Sequence, residues 1–126
     1  MEEFDAQERR RSKRRNLSYY LPVINDYDQQ IFGHLVDISM KGFMLDSKRS
    51  IPINQDFNLR LDLTESIANK SIVRFVARSK WCRPDSIQPF IYNVGLEFTS
   101  ISQSDSEIVR IISERYGSRE SSFSSI

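Results

Sequence analysis

Residues 56–63 alternate without a break: Phe57, Leu59, Leu61 and Leu63 fall on one side, Asn58, Arg60 and Asp62 on the other. A period of two puts these sets on opposite faces of an extended strand, one buried and one solvated. A helix would scatter the same residues around its circumference. The pattern recurs along the chain. Residues 17–24 carry Leu17, Tyr19, Leu21 and Val23 on one face. Residues 30–38 are rich in Ile, Phe, Leu and Val, and residues 42–45 form a short apolar run. Residues 71–81 set Val73, Phe75, Ala77 and Trp81 against Arg74, Arg78 and Lys80. Residues 90–98 align Phe90, Tyr92, Val94, Leu96 and Phe98. Turn and loop chemistry separates the runs: residues 25–28, residues 47–55 with Pro52 and Asn54, the polar residues 64–70, and the stretch opening at Arg83-Pro84-Asp85-Ser86. Strands of this number and spacing, each apolar on one face, predict an antiparallel barrel or sandwich. Pro22 has no N–H to give to a ladder, so it marks an edge or a bulge. The first two runs read as a hairpin, which returns Asp37 toward the start of the first strand.

A single helix closes the pattern. Ser104 and Glu107 stand as N-cap and N3 of a capping box. Ile108, Ile111, Ile112 and Tyr116 make one stripe, and Gly117 suits the residue just past the end. The Ser-rich residues 118–126 predict a disordered tail. Residues 1–16 show no hydrophobic periodicity and predict a flexible arm that orders on binding. The chain thus divides into an arm (1–16), a folded unit (17–117) and a tail (118–126). Its 126 residues make one domain with a small core.

Charge is concentrated in the arm. Residues 9–15 hold six Lys or Arg and no acid, although the whole chain carries a net charge of only +1. The remainder has 12 basic and 17 acidic residues, a net of −5. This argues against a broad basic face for long nucleic acid, and one local anion site fits. Exposed aromatics interleaved with basic residues, as on a single-strand-binding barrel, are missing from the strands. No apolar run approaches the length of about 20 residues that a membrane span needs. The acidic start at Met1-Glu2-Glu3-Phe4-Asp5 is not a signal peptide. A cytoplasmic protein is the simplest expectation.

Catalytic constellations are poorly represented. Cys82 is the only cysteine, so the chain contains no internal disulfide. His34 is the only histidine and alternates with Phe32 and Val36, which reads as structural. One His and one Cys hold no zinc site. Cys82 and His34 are the single nucleophile–base combination that the composition allows, and they are remote in sequence. No second carboxylate sits beside Asp37 to share a metal, and four glycines are too few for a phosphate loop plus barrel turns. The expectation is no enzyme, no metal and no cofactor.

Two stretches remain. Arg9-Arg10-Arg11-Ser12-Lys13-Arg14-Arg15 supplies guanidinium forks, which match phosphate oxygens and the O6/N7 edge of guanine. Asp37-Ile38-Ser39-Met40-Lys41-Gly42 supplies a carboxylate that accepts from guanine N–H groups, a hydroxyl, and a glycine that lets the backbone approach a ligand. Together they suit a small anionic guanine nucleotide. Trp81 admits two readings: core or rim packing, or an aromatic at the barrel mouth that stacks on a purine or supports the Arg that does.

Arg10-x-x-x-Arg14 followed by Asp37-x-Ser39-x-x-Gly42 resembles the two-part signature of PilZ domains, bacterial receptors for cyclic di-GMP. The resemblance covers about residues 8–116, and Gly95-Leu96-Glu97-Phe98 is similar to the family's glycine-containing last strand. It implies a mainly β fold: a six-stranded antiparallel β-barrel with a C-terminal helix. It implies Arg10, Arg14, Asp37, Ser39 and Gly42 as ligand residues, with Arg9 in the position that the family associates with an intercalated ligand dimer. Some PilZ domains carry a Trp comparable to Trp81. Arg11 and Arg15 repeat the motif spacing, so the register stays open. The offset from Glu8 and the following strand favours Arg10 and Arg14. The implied function is a stand-alone receptor whose arm closes on the ligand at the barrel mouth and whose output is a separate effector protein. The alternative is a PilZ-like interaction module that binds no nucleotide.

Overall fold

The computed structural model describes residues 21–67 and 69–116. The arm with Arg9, Arg10 and Arg14, the start of the first apolar run at Leu17 and Tyr19, Gly117 and the 118–126 tail lie outside the described residues. Six strands follow one another: β1 (Pro22–Asn25), β2 (Ile31–Ile38), β3 (Gly42–Ser47), β4 (Asp56–Ile67), β5 (Lys70–Pro84) and β6 (Tyr92–Ile101). The helix α1 (Gln103–Tyr116) comes last. The strands close antiparallel in the order β1-β2-β3-β6-β5-β4, so a barrel forms and no edge is left open. Pro22 pairs with His34 of β2, while pairing with β4 begins only at Val23. The missing N–H therefore falls at the first residue of a strand, where it disturbs the ladder least.

The alternating residues become the inner wall. Val23, Leu35, Leu45, Leu59, Leu61, Val73, Ala77, Val94 and Leu96 are all fully buried. Phe43, Phe75 and Phe98 meet in the interior, with ring centroids 5.0–5.3 Å apart. Each such pair contributes about 0.5–1.5 kcal/mol beyond its buried area. They tie β3, β5 and β6 together.

Several local expectations are corrected. β4 continues to Ile67, which pairs with Lys70, so the polar connection between β4 and β5 shrinks to a tight turn. β5 runs on through Arg83 to Pro84. Phe90 does not face inward: it is 85% exposed and sits at φ 67°, before β6 begins at Tyr92. The helix starts earlier than its capping box implied. Ser102 Oγ accepts from the Asp105 N–H at 3.1 Å, so Ser102 is the N-cap, not Ser104. Asp105 turns away from the helix, accepting from Lys70 Nζ at 2.6 Å and from the Arg74 N–H at 3.2 Å. These bonds pin α1 to the start of β5. Its buried stripe is Ile108, Val109 and Ile112, with Val109 taking the place expected of Ile111.

Single-residue bulges decide which outer side chains meet. On β2, Leu35 faces Leu45 but Asp37 faces Met44, so Val36 is an extra residue. On β5, Ser79 faces Leu96 but Trp81 faces Gly95, so Lys80 is an extra residue. Each bulge reverses the facing of everything beyond it.

Candidate functional site

The hairpin joining β2 to β3 is built from its own polar groups. The Ser39 N–H donates to Gly42 O at 2.8 Å, which leaves Met40 and Lys41 as the tip. Ser39 Oγ accepts from the Lys41 N–H at 3.2 Å and reaches Gly42 O at 3.4 Å. Lys41 O accepts from the Phe98 N–H at 2.9 Å, tying the tip to β6. Asp37 is completely buried, and its Oδ1 accepts from the next N–H, that of Ile38, at 2.9 Å. Leu21 O accepts from the Leu35 N–H at 2.8 Å. The first described residue therefore stands two positions from Asp37.

Gly42 also has a packing reason. No glycine among the described residues has positive φ. A Cβ on Gly42 would lie 2.1 Å from Leu96 O. The glycine lets the β6 backbone come close, which is a packing role.

Trp81 lies on the outer wall of the barrel, outside the main core. The Lys80 bulge turns it to the outer wall, opposite Val73, Phe75 and Ala77, and it packs with Val36 and Met44. Strand register then defines a row across the outside of the barrel: Asp37 on β2, Met44 on β3, Gly95 on β6 and Trp81 on β5. A Cβ on Gly95 would lie 2.3 Å from Trp81 Cε2, so the indole lies directly across the glycine. Arg83, also on the outer wall, sets its guanidinium carbon 4.3 Å from the indole centroid. Trp81 Nε1 is buried and has no hydrogen-bond partner among the described residues. The next row runs through His34, Asp46, Asn93 and Arg83. There Asn93 Nδ2 donates to Asp46 Oδ1 at 2.8 Å and to Asp85 Oδ1 at 3.2 Å.

Of the residues singled out in the sequence, Asp37, Ser39 and Gly42 share the hairpin, and Trp81 shares its outer wall. Arg9, Arg10 and Arg14 lie outside the described residues. Met44 and Arg83 were missed. Nothing in their own sequence context marks them, because both reach this wall through pairings that the bulges set. Cys82 and His34 do not meet: Cys82 turns inward and takes the Ile51 N–H at 3.5 Å, while His34 lies on the outer wall. Among the described residues no three His, Cys, Asp or Glu side chains group to hold a metal, and no helix is long and apolar enough to cross a membrane. A cleft of about 510 Å³ opens toward the far end of β2, lined by Ile31, Phe32, His34, Asp46, Lys48 and Arg49 among others. It excludes Asp37, Ser39 and Trp81.

Comparison with known proteins agrees with this geometry. The PilZ domain model matches residues 8–114. The fold is similar to the structure of the Bacillus subtilis inhibitor of motility, MotI/DgrA, with a TM-score of 0.62 at 16% identity. The match covers 75% of this chain and 45% of that one, so the chain spans less than half the length of this neighbour. No curated protein matches. PilZ domains are cyclic di-GMP-binding modules rather than enzymes. A closed six-stranded barrel, a buried Asp37 and Ser39 on one hairpin, and a family match across residues 8–114 converge, and the chain belongs to the PilZ domain family.

Proposed function

We propose that this chain is a cyclic di-GMP receptor that binds its ligand on the outer wall of the barrel, around the hairpin of residues 37–42. Asp37 and Ser39 are the polar groups of that wall nearest the hairpin. Arg10 and Arg14 supply the guanidinium forks for phosphate and guanine. The observation that carries the reading is the pairing of Leu21 with Leu35, which brings the chain just downstream of the arginines alongside Asp37. Leu21 is seven steps along the chain from Arg14, enough to span about 23 Å when extended, so both arginines are within reach of the row. The basic segment orders on the wall when ligand binds. That ordering costs conformational entropy, which the charge-assisted contacts must exceed. The new surface is then read by a separate partner protein in the cytoplasm.

Calorimetric titration with cyclic di-GMP, with GTP as the control, tests the assignment. The unmutated chain should bind the first and not the second. Arg10→Ala and Arg14→Ala should each cost about 1.5–3 kcal/mol, roughly tenfold to a hundredfold in affinity. Thermal stability without ligand should barely move. No heat with cyclic di-GMP would leave a nucleotide-independent interaction module in its place.

A further inference from the structure

Trp81 is the residue on this wall that looks made for stacking, yet its ring is already taken. Gly95 lies against it, and Arg83 stands over it at 4.3 Å. Its only polar atom is buried. A ligand reaching this part of the wall therefore meets Arg83, which is exposed and makes no ion pair with any described residue. A guanidinium held against an aromatic face keeps its in-plane N–H donors free, and it loses little entropy on binding because the ring has already fixed its position. The stack also has a direction. Arg83 stands two residues beyond Trp81 on the same outer wall, and its guanidinium reaches back over the indole toward the row that contains Asp37.

Resting on the receptor reading above, we infer that Arg83 is the guanine-recognising residue at the far end of the row, with Trp81 as the platform that positions it. Asp37 and Trp81 stand three strand spacings apart, about 14 Å at ~4.8 Å per strand. That is wide enough for the two ends of the site to serve different bases. At one end the Asp37 carboxylate accepts from guanine N–H groups. At the other, the Arg83 fork donates to O6 and N7, the acceptor pair that only guanine offers to an arginine. Trp81 itself touches no base, so its role is positioning.

The test is a calorimetric cycle on the full chain. It compares cyclic di-GMP with the analogue in which each guanine N7 is replaced by CH. Arg83→Ala should lower affinity for cyclic di-GMP by about tenfold to a hundredfold. It should also narrow the gap between the two ligands. Arg83→Lys should recover only part of the loss, because an ammonium has no planar fork. Trp81→Ala should weaken binding by less than Arg83→Ala, and should not change the N7 gap once Arg83 is also removed. Wild-type affinity in Arg83→Ala, full recovery by Lys, or an unchanged N7 gap would each overturn the inference while leaving the receptor assignment intact. Failure of the unmutated chain to bind cyclic di-GMP would instead overturn the assignment on which it rests.

Discussion

Two glycines on the same sheet carry opposite consequences for function, and only their contacts separate them. Gly42 and Gly95 are equally visible in the sequence, one in the hairpin motif and one in the last strand. At Gly42 a side chain meets the fixed backbone of Leu96, at 2.1 Å from its carbonyl oxygen. Gly42→Val should therefore force β3 and β6 apart and cost about 3 kcal/mol or more, with or without ligand. At Gly95 a side chain meets the indole of Trp81, a side chain rather than fixed backbone. Gly95→Ala should keep the barrel nearly as stable, shift the emission of the sole tryptophan to the red, and lower cyclic di-GMP affinity because Arg83 loses its platform. Thermal melts, fluorescence and calorimetry on the two variants check both halves. A Gly95→Ala protein with unchanged emission would show that the ring is not held as described. The motif residues Asp37 and Ser39 were legible because short polar residues at a strand end leave a clear spacing. Met44 and Arg83 were not, since what matters about them is which strand they face.

Strands were legible from alternation, and their offsets were not. A one-residue bulge leaves three or four alternating residues intact on either side, so the sequence around Trp81 reads the same whether it points in or out. The energetic decision is made across the sheet, where Leu96 and Val94 must face the core and Gly95 must face out. The helix start shows the same limit. Ser102 and Ser104 are both good caps, and the choice falls to Ser102 because Asp105 is held by Lys70 and the Arg74 N–H. Side-chain ties between strands add a pH dependence. Asp26, just after β1, accepts from Arg60 on β4 at 3.1 Å and from Arg74 on β5 at 3.0 Å. Burial pushes its carboxyl up, but the hydrogen bonds and charges of the two arginines outweigh this and hold it below its ordinary value of 3.8. A depressed carboxyl stabilises the fold fully above its unfolded value and loses that contribution as pH falls through the folded one. Asp26→Asn should therefore cost about 1 kcal/mol at neutral pH, a gap that narrows below about pH 4. Denaturant titrations at pH 7 and pH 3 measure it. An unchanging gap would mean that the carboxylate's charge is irrelevant to the tie.

At the scale of the whole molecule, the charge distribution and the open wall together bear on stoichiometry. Outside residues 9–15 the chain has a net charge of −5, but Glu2, Glu3, Asp5 and Glu8 account for four of those charges, and residues 17–117 carry 11 basic and 12 acidic side chains, so the barrel itself is nearly neutral and draws no anion at long range. Attraction comes from the six basic residues of that short segment. The candidate site is a wall four strands wide rather than an enclosed cavity, and a wall sets no tight upper limit on ligand size. An intercalated pair of cyclic di-GMP molecules brings four phosphate charges together, and these repel unless enough cations offset them. Arg10 and Arg14 alone supply two. Arg9, Arg11 and Arg15 flank them and raise the number to five, and guanidinium planes also stack on guanine faces. The expected ratio is therefore two ligands per chain, with affinity that falls steeply as salt rises because several charge pairs carry the binding. Arg9→Leu removes one cation while leaving the Arg10/Arg14 pair. It should move the ratio toward one, with binding of the first ligand retained. Calorimetry at saturating cyclic di-GMP, at low and high salt, reads both effects. A ratio of one for the unmutated chain would mean that the basic cluster serves to attract and orient a single ligand, and the flanking arginines should then change the association rate more than the number bound.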